Sequence, residues 1–327
     1  MPTDDPAVSA PKSAVKMDFR SGGWVLLISA ILVCGMIAWR LSVMLPTLSH
    51  RAIGDGDTVE SYGFQLSPLL VPRELVVASG QPKDSWPAMI DPPTIRGKDY
   101  NPEKKLNEVR KLRTTERVIG VVCNGEARAY PLWVLTWHEV VNDTLGGEPI
   151  LVTYNPLCDS AVVFDRRVGD QTLTFGVSGL LFNSNTLLYD RCEGAESESL
   201  WSQLQFRAIA GAAAERGETL TLLPAKVMTW AEWLVAQPET TVILPDPRRT
   251  RLYKRDAFLP YFGDERLHFP VSPMLPAGSA FKQSMVAVRD GERWTLTPAA
   301  QFDVTSMSND AIAVWCFSFA WNAMHAE

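Results

Sequence analysis

The chain has 327 residues, of which 46% are hydrophobic and 21% charged, and Lys plus Arg at 31 against Asp plus Glu at 37 gives a net charge of -6. These values exclude a wholly disordered chain, which lacks the apolar residues to build a core. They also exclude the basic footprint of a nucleic-acid-binding protein, so no nucleic acid is expected as a partner.

Residues 1–20 are rich in Pro, Ala, Ser and Asp and read as a flexible tail. From Ser21 to Trp39 there is no charged residue. Nineteen residues at a helical rise of about 1.5 Å span roughly 28 Å, close to the hydrocarbon thickness of a bilayer. Trp24 and Trp39 stand at the two ends as interfacial aromatics would, Arg40 follows, and Pro46 ends the segment. No small-residue cleavage motif comes after it, so residues 21–45 are predicted to form an uncleaved transmembrane helix. Lys12, Lys16 and Arg20 precede this helix, against Arg40 and Arg51 after it. The bias places the N-terminal tail in the cytoplasm. The expectation is a single-pass inner-membrane protein with the lipid bilayer as a partner and residues 46–327 periplasmic or otherwise extracytoplasmic.

Residues 46–116 carry many Gly and Pro turn signals and read as a connector packed on the domain that follows. Within it, Leu106, Val109 and Leu112 are spaced for a short amphipathic helix over 101–113. Residues 117–327 form the predicted globular domain. R-V-I-G-V-V, Asn124-Gly125 and A-R-A-Y predict a hairpin. Further strands are predicted at 150–154, 161–165, 172–177 and 184–190, with a turn at Gly169-Asp170 between the second and third. Residues 228–237 predict a short helix stopped by Pro238. A hairpin pattern at 285–297 and F-A-W-N-A-M-H-A-E at 319–327 echo the earlier segments. The fold class is α+β, strand-rich with few short helices, plus the N-terminal transmembrane helix.

Phosphate-loop, dinucleotide, nucleophile-elbow and HExxH motifs are all missing. Cys34 lies in the membrane run, while Cys123, Cys158, Cys192 and Cys316 lie outside it with no zinc-like spacing. The densest polar and aromatic stretch runs from Arg128 to Gln203. It includes W-H-E-V-V-N-D at 137–143, Y-N-P-L-C-D-S-A at 154–161, G-V-S-G-L-L-F-N-S-N at 176–185 and S-L-W-S-Q at 199–203. The Gly146-Gly147 turn would fold the first two segments side by side, bringing His138 and Cys158 into one metal or thiol site. Glu139, Asp190, Arg128, Asn183 and Asn185 are candidates for supporting roles around it.

As a set, these segments resemble the bacterial and archaeal family catalogued as domain of unknown function number 3179. The resemblance implies no settled activity. Members commonly carry C-P-L-C where this chain has Asn155-Pro156-Leu157-Cys158, some with selenocysteine, which implies redox or soft-metal chemistry. With Asn155 in the first position, a dithiol cycle inside this motif is impossible.

Three classes of function stay open. One is a membrane-anchored extracytoplasmic protein with a soft-metal or thiol redox site at Cys158 and His138, for which copper is the candidate cofactor. The second is a non-catalytic accessory subunit of a membrane complex, its site decayed. The third is a hydrolase or transferase with Cys158 as nucleophile and His138 as base.

Overall fold

The computed structural model describes residues 23–49, 52–100, 112–192, 197–253 and 257–325 and divides into two compact units, Met1–Arg51 and Ala52–Glu327. The expected tail over 1–20 and most of the expected helix over 101–113 lie outside the described residues.

In the first unit, Gly23–Ser49 is one α-helix, α1. Its described side chains run unbroken only from Leu27 to Arg40 and are exposed. Among the described residues no helix is long and apolar enough to cross a membrane.

The second unit is strand-rich, as the sequence predicts, with short helices between strands. It opens with three short strands, β1 (Val76–Ala78), β2 (Met89–Ile90) and β3 (Thr94–Arg96). The hairpin β4 (Arg117–Cys123) and β5 (Glu126–Pro131) leads into α2 (Leu132–Leu135). A meander follows of β6 (Val140–Leu145), β7 (Glu148–Asn155) and β8 (Ser160–Asp165), then a small hairpin of β9 (Arg167–Val168) and β10 (Gln171–Thr172). Next come β11 (Phe175–Phe182), β12 (Asn185–Asp190), β13 (Leu200–Ser202), β14 (Arg207–Ala210) and α3 (Ala212–Glu215). The chain continues through β15 (Lys226–Thr229), α4 (Trp230–Ala236), β16 (Thr241–Ile243) and α5 (Leu259–Phe262). It closes with β17 (Ser284–Asp290), β18 (Arg293–Pro298), β19 (Ala313–Phe317) and α6 (Ser318–His325).

Among the described residues these strands form three main sheets. A seven-stranded sheet runs β18-β17-β19-β8-β7-β6-β2, one five-stranded sheet β1-β11-β12-β13-β14 and the other β15-β4-β5-β16-β3. Period-two alternation decides which residues fill which layer. In the seven-stranded sheet Val140, Leu151, Val162, Phe164 and Cys316 pack into one core with the β11–β14 sheet. Their neighbours Val141, Val152, Val163 and Trp315 pack into a second core with Ile119, Val121 and Tyr130 of the β4–β5 hairpin. A third core lies between β4 and α4, where Val118 meets Trp230 and Trp233. The α4 helix starts on a capping box in which Glu232 N donates to Thr229 Oγ1 at 3.3 Å and Thr229 N to Glu232 Oε2 at 2.9 Å.

The turns follow the chemistry of their residues. Asn124 and Gly125 (φ 48° and 82°) join β4 to β5, and Gly146 and Gly147 (φ 58° and 81°) join β6 to β7, as expected. Asn183 and Ser184, at φ 51° and 61°, form the same kind of two-residue turn between β11 and β12.

Two expectations are corrected. The residues read as a connector supply strands to all three main sheets: β1 pairs with β11, β2 with β6 and β3 with β16. Their shortness and low apolar periodicity hid them. Gly169-Asp170 closes only the small β9–β10 hairpin, and the strand beyond it, β11, leaves for another sheet to pair with β1 and β12.

Candidate functional site

Glu139 sits where the chain leaves α2 and enters β6. Its N–H donates to Leu135 O at 2.6 Å and its carbonyl accepts from Tyr154 N at 2.8 Å. To make that turn it takes φ 56°, a left-handed conformation that glycine normally fills after a helix. A non-glycine residue there stores strain on the order of 1–2 kcal/mol, a cost seen most often where a side chain has work to do. The side chain is buried at 7% exposure, and Oε2 has no hydrogen-bond partner. Burial pushes the carboxyl up to about 7. Thr186 and Asn155 stand close enough to favour its charged form and temper that shift, though Asn155 Nδ2 is itself buried without a partner of hydrogen-bond geometry.

Glu139 lines a cavity of about 200 Å³. That is room for on the order of seven waters at liquid density. Gln81, Thr186 and His268 supply further polar groups, and Trp86, Leu157, Leu180 and Phe269 make apolar wall. The cavity lies beside an irregular part of β11, whose register with β12 shifts between Val177 and Leu181. Ser178 mends the irregularity, its Oγ donating to Leu187 O at 2.6 Å and accepting from Leu180 N at 3.0 Å. Gly179 (φ 81°) is required, since a Cβ there would stand 2.5 Å from the Tyr62 ring and 2.7 Å from Gln81 O.

His268 comes from a loop fastened at several points. Ser184 Oγ donates to Phe269 O at 3.0 Å, and Asn183 exchanges bonds of 3.0 and 2.9 Å with the Ser272 backbone. Lys282 Nζ gathers the carbonyls of Tyr261, Asp264 and Arg266. The exposed imidazole packs edge-on against Tyr261 at 4.6 Å between centroids, and Tyr261 Oη donates to Leu157 O at 3.0 Å.

The structure does not bring His138 and Cys158 together. His138 stands on the β4–β5 side of the seven-stranded sheet. There its Nδ1 lies 2.7 Å from Pro87 O and its Nε2 2.6 Å from Tyr253 Oη. A carbonyl only accepts, so Nδ1 carries the proton; Tyr253 Oη accepts from Asp246 N at 3.0 Å and gives its own hydrogen to Nε2. Both nitrogens are therefore used by the neutral ring, and burial lowers its pKa. Cys158 lies in the opposite core, fully buried, its N–H donating to Asn155 Oδ1 at 3.0 Å and its Sγ to Ser184 O at 3.4 Å. Burial holds the thiol well above its ordinary pKa, the reverse of what a nucleophile or soft-metal ligand needs. These two groups do not fit a copper ion, and among the described residues no group of three or more His, Cys, Asp or Glu is placed to hold a metal.

A family model described as a protein of unknown function (DUF3179) matches residues 83–327. The chain belongs to the DUF3179 family. No curated protein and no solved structure is significantly similar to it.

The remaining predicted residues have structural partners in this DUF3179 domain. Asp190, expected beside His138, instead accepts from Ser199 N at 2.6 Å and Trp201 Nε1 at 3.1 Å, and burial raises its pKa. Arg128 does clamp a carboxylate, that of Asp143 at 2.7 Å, where Tyr130 Oη also donates at 2.7 Å, but this pair ties β5 to β6 away from the cavity. Asn183 holds the His268 loop and the α6 carbonyl of Ala323. Asn185 joins a buried polar cluster, its Nδ2 donating to Gln203 Oε1 at 2.9 Å and Ser160 Oγ at 3.1 Å. Cys123, Cys158, Cys192 and Cys316 are free thiols. Of the site residues read from sequence, Glu139 alone lines the cavity. Gln81 and Thr186 were missed because nothing local marks them. The sequence motifs around it do not mark His268 either.

Proposed function

We propose that the DUF3179 domain binds a small polar molecule beside Glu139 and exchanges a proton with it. The observation that carries this reading is the buried Glu139 Oε2, unpartnered, in a residue that lines a cavity. A carboxyl with a pKa near neutrality is matched to general acid or base work. His268 on the same cavity offers imidazole nitrogens for hydrogen bonds to a ligand. Thr186 and Gln81 offer directional bonds to a ligand, and the apolar wall limits its size.

The uncharged run Ser21–Trp39 supports a further part of the proposal, that the domain is tethered to the bilayer on the extracytoplasmic side. Protease added to intact spheroplasts would then digest the domain, whereas digestion only after lysis contradicts this topology.

A fragment screen by crystal soaking and ligand-observed NMR tests the site. Small neutral fragments with hydrogen-bond donors are expected to contact Glu139 and to lose binding in Glu139→Gln. Fragments that avoid the cavity, or bind both proteins equally, contradict the reading.

A further inference from the structure

A second site lies on the other side of the seven-stranded sheet. The chain is acidic overall, yet P-R-R-T-R at 247–251 sets three arginines within four residues. Arg248, Arg249 and Arg251 line a cavity of about 750 Å³. A second cavity of about 340 Å³ adjoins it, since Pro87, Asp246 and Arg248 line both. Beyond Asp246, Arg248 and His138, the walls of that second cavity are apolar, with Met89, Ile90 and Leu244 among them. Ile90 is 55% exposed.

The charge balance favours an anion. The Asp246 carboxylate is already engaged by the Arg248 guanidinium, at 2.9 Å from Nη2 and 3.0 Å from Nε, and by Arg248 N at 2.9 Å. Among the described residues Arg249, half-buried, and Arg251 have no carboxylate at ion-pair distance. Two positive charges are thus left facing a cavity. The guanidinium fork suits the paired oxygens of a carboxylate or phosphate.

The loop is also fixed in place. Pro245 and Pro247 restrict its backbone, and Leu244 N donates to Pro93 O at 2.7 Å. Asp246 N donates to Tyr253 Oη, which donates to His138 Nε2, and His138 Nδ1 donates to Pro87 O. This chain of bonds joins the two walls of the groove, Pro87 and Asp246, and gives the buried His138 a positioning role. A groove held open in this way costs little ordering on binding.

We propose that the 246–252 loop and the apolar pocket beside it form a binding site for a small soluble organic anion with an apolar arm. The arginines take the anionic head and the Met89–Ile90–Leu244 wall takes the arm. The concave shape and the two volumes are those of small-molecule sites.

Calorimetric titration of the full chain in zwitterionic-lipid nanodiscs with hexyl phosphate tests this, with inorganic phosphate and 1-hexanol as head-only and arm-only controls. Hexyl phosphate is expected to bind about tenfold or more tighter than phosphate, a difference of roughly 1.4 kcal/mol. Arg249→Gln with Arg251→Gln should weaken it about tenfold, Arg249→Lys with Arg251→Lys less so, and Ile90→Asn should remove the advantage over phosphate alone. Equal binding of hexyl phosphate and phosphate, or full binding by the double Gln variant, overturns the proposal. Loss of hexyl phosphate binding when the nanodisc carries anionic lipid also overturns it, because the loop's ligand would then be the bilayer surface.

Discussion

His138 and Glu139 are adjacent in sequence and serve opposite faces of the seven-stranded sheet. His138 bonds to Tyr253 in the core shared with β4 and β5, while Glu139 lines the cavity shared with β11 and β12. The left-handed turn at Glu139 makes this division, and it separates a satisfied imidazole from an unsatisfied carboxyl.

Stability should fall as pH rises through neutrality. The folded Glu139 pKa of about 7 lies above its ordinary 4.5, so the native state keeps a proton that the unfolded chain has released. This contribution is fully present below pH 4.5 and is lost as pH rises through about 7, amounting to on the order of 3 kcal/mol. Glu139→Gln puts a neutral amide at this position and should not show the loss. Denaturant titrations of both proteins at several pH values should converge at acid pH and separate above neutrality, with the variant more stable there. Parallel curves count against a raised pKa.

Cysteine reactivity should follow exposure. Cys192 is exposed, Cys123 partly so, and Cys158 and Cys316 are buried with raised pKa values. Among the four thiols outside the Ser21–Trp39 run, timed alkylation of the native protein with mass spectrometry should modify Cys192 first and Cys158 only on unfolding. Rapid labelling of Cys158 would revive the reading of it as a reactive thiol.

Tyr253→Phe should cost about 1–3 kcal/mol, because it leaves His138 Nε2 and Asp246 N without their partner. The same variant should loosen the 246–252 loop. Urea unfolding measures the first effect and hydrogen exchange at residues 246–252 the second. A variant as stable and as protected as the native protein would remove the positioning role of His138.

Gly120→Ala should be destabilising by about 1–3 kcal/mol through overpacking, since its Cβ would stand 2.3 Å from the Trp233 ring. Thermal unfolding checks this. A neutral result means that α4 can shift away from β4.

Much of the domain was legible because its signals are local. The Asn124-Gly125 and Gly146-Gly147 turns announce hairpins through their positive φ, and Thr229 with Glu232 announces a helix start. The strands from Val76 to Arg96 were not legible, being two or three residues long and defined by partners far along the chain. The candidate site failed for a related reason. The Gly146-Gly147 hairpin does set β6 beside β7, but which face a side chain takes turns on a single residue of register. Glu139, not His138, came to the face of Asn155 and Cys158. Gln81, Thr186 and His268 meet there only through the β1–β11 pairing, the β11 irregularity and the bond from Ser184 to Phe269. None of these leaves a mark in the local sequence.

Burial pushes the Glu139 carboxyl up to about 7 on the wall of the cavity that Gln81, Thr186 and His268 share. Carbon-13 NMR of labelled glutamate side chains, with Glu139→Gln to assign the resonance, measures this directly. The Glu139 carboxyl midpoint is expected near 7 and should move when a cavity-bound fragment is added. A midpoint at the ordinary 4.5, unmoved by any such fragment, would contradict it.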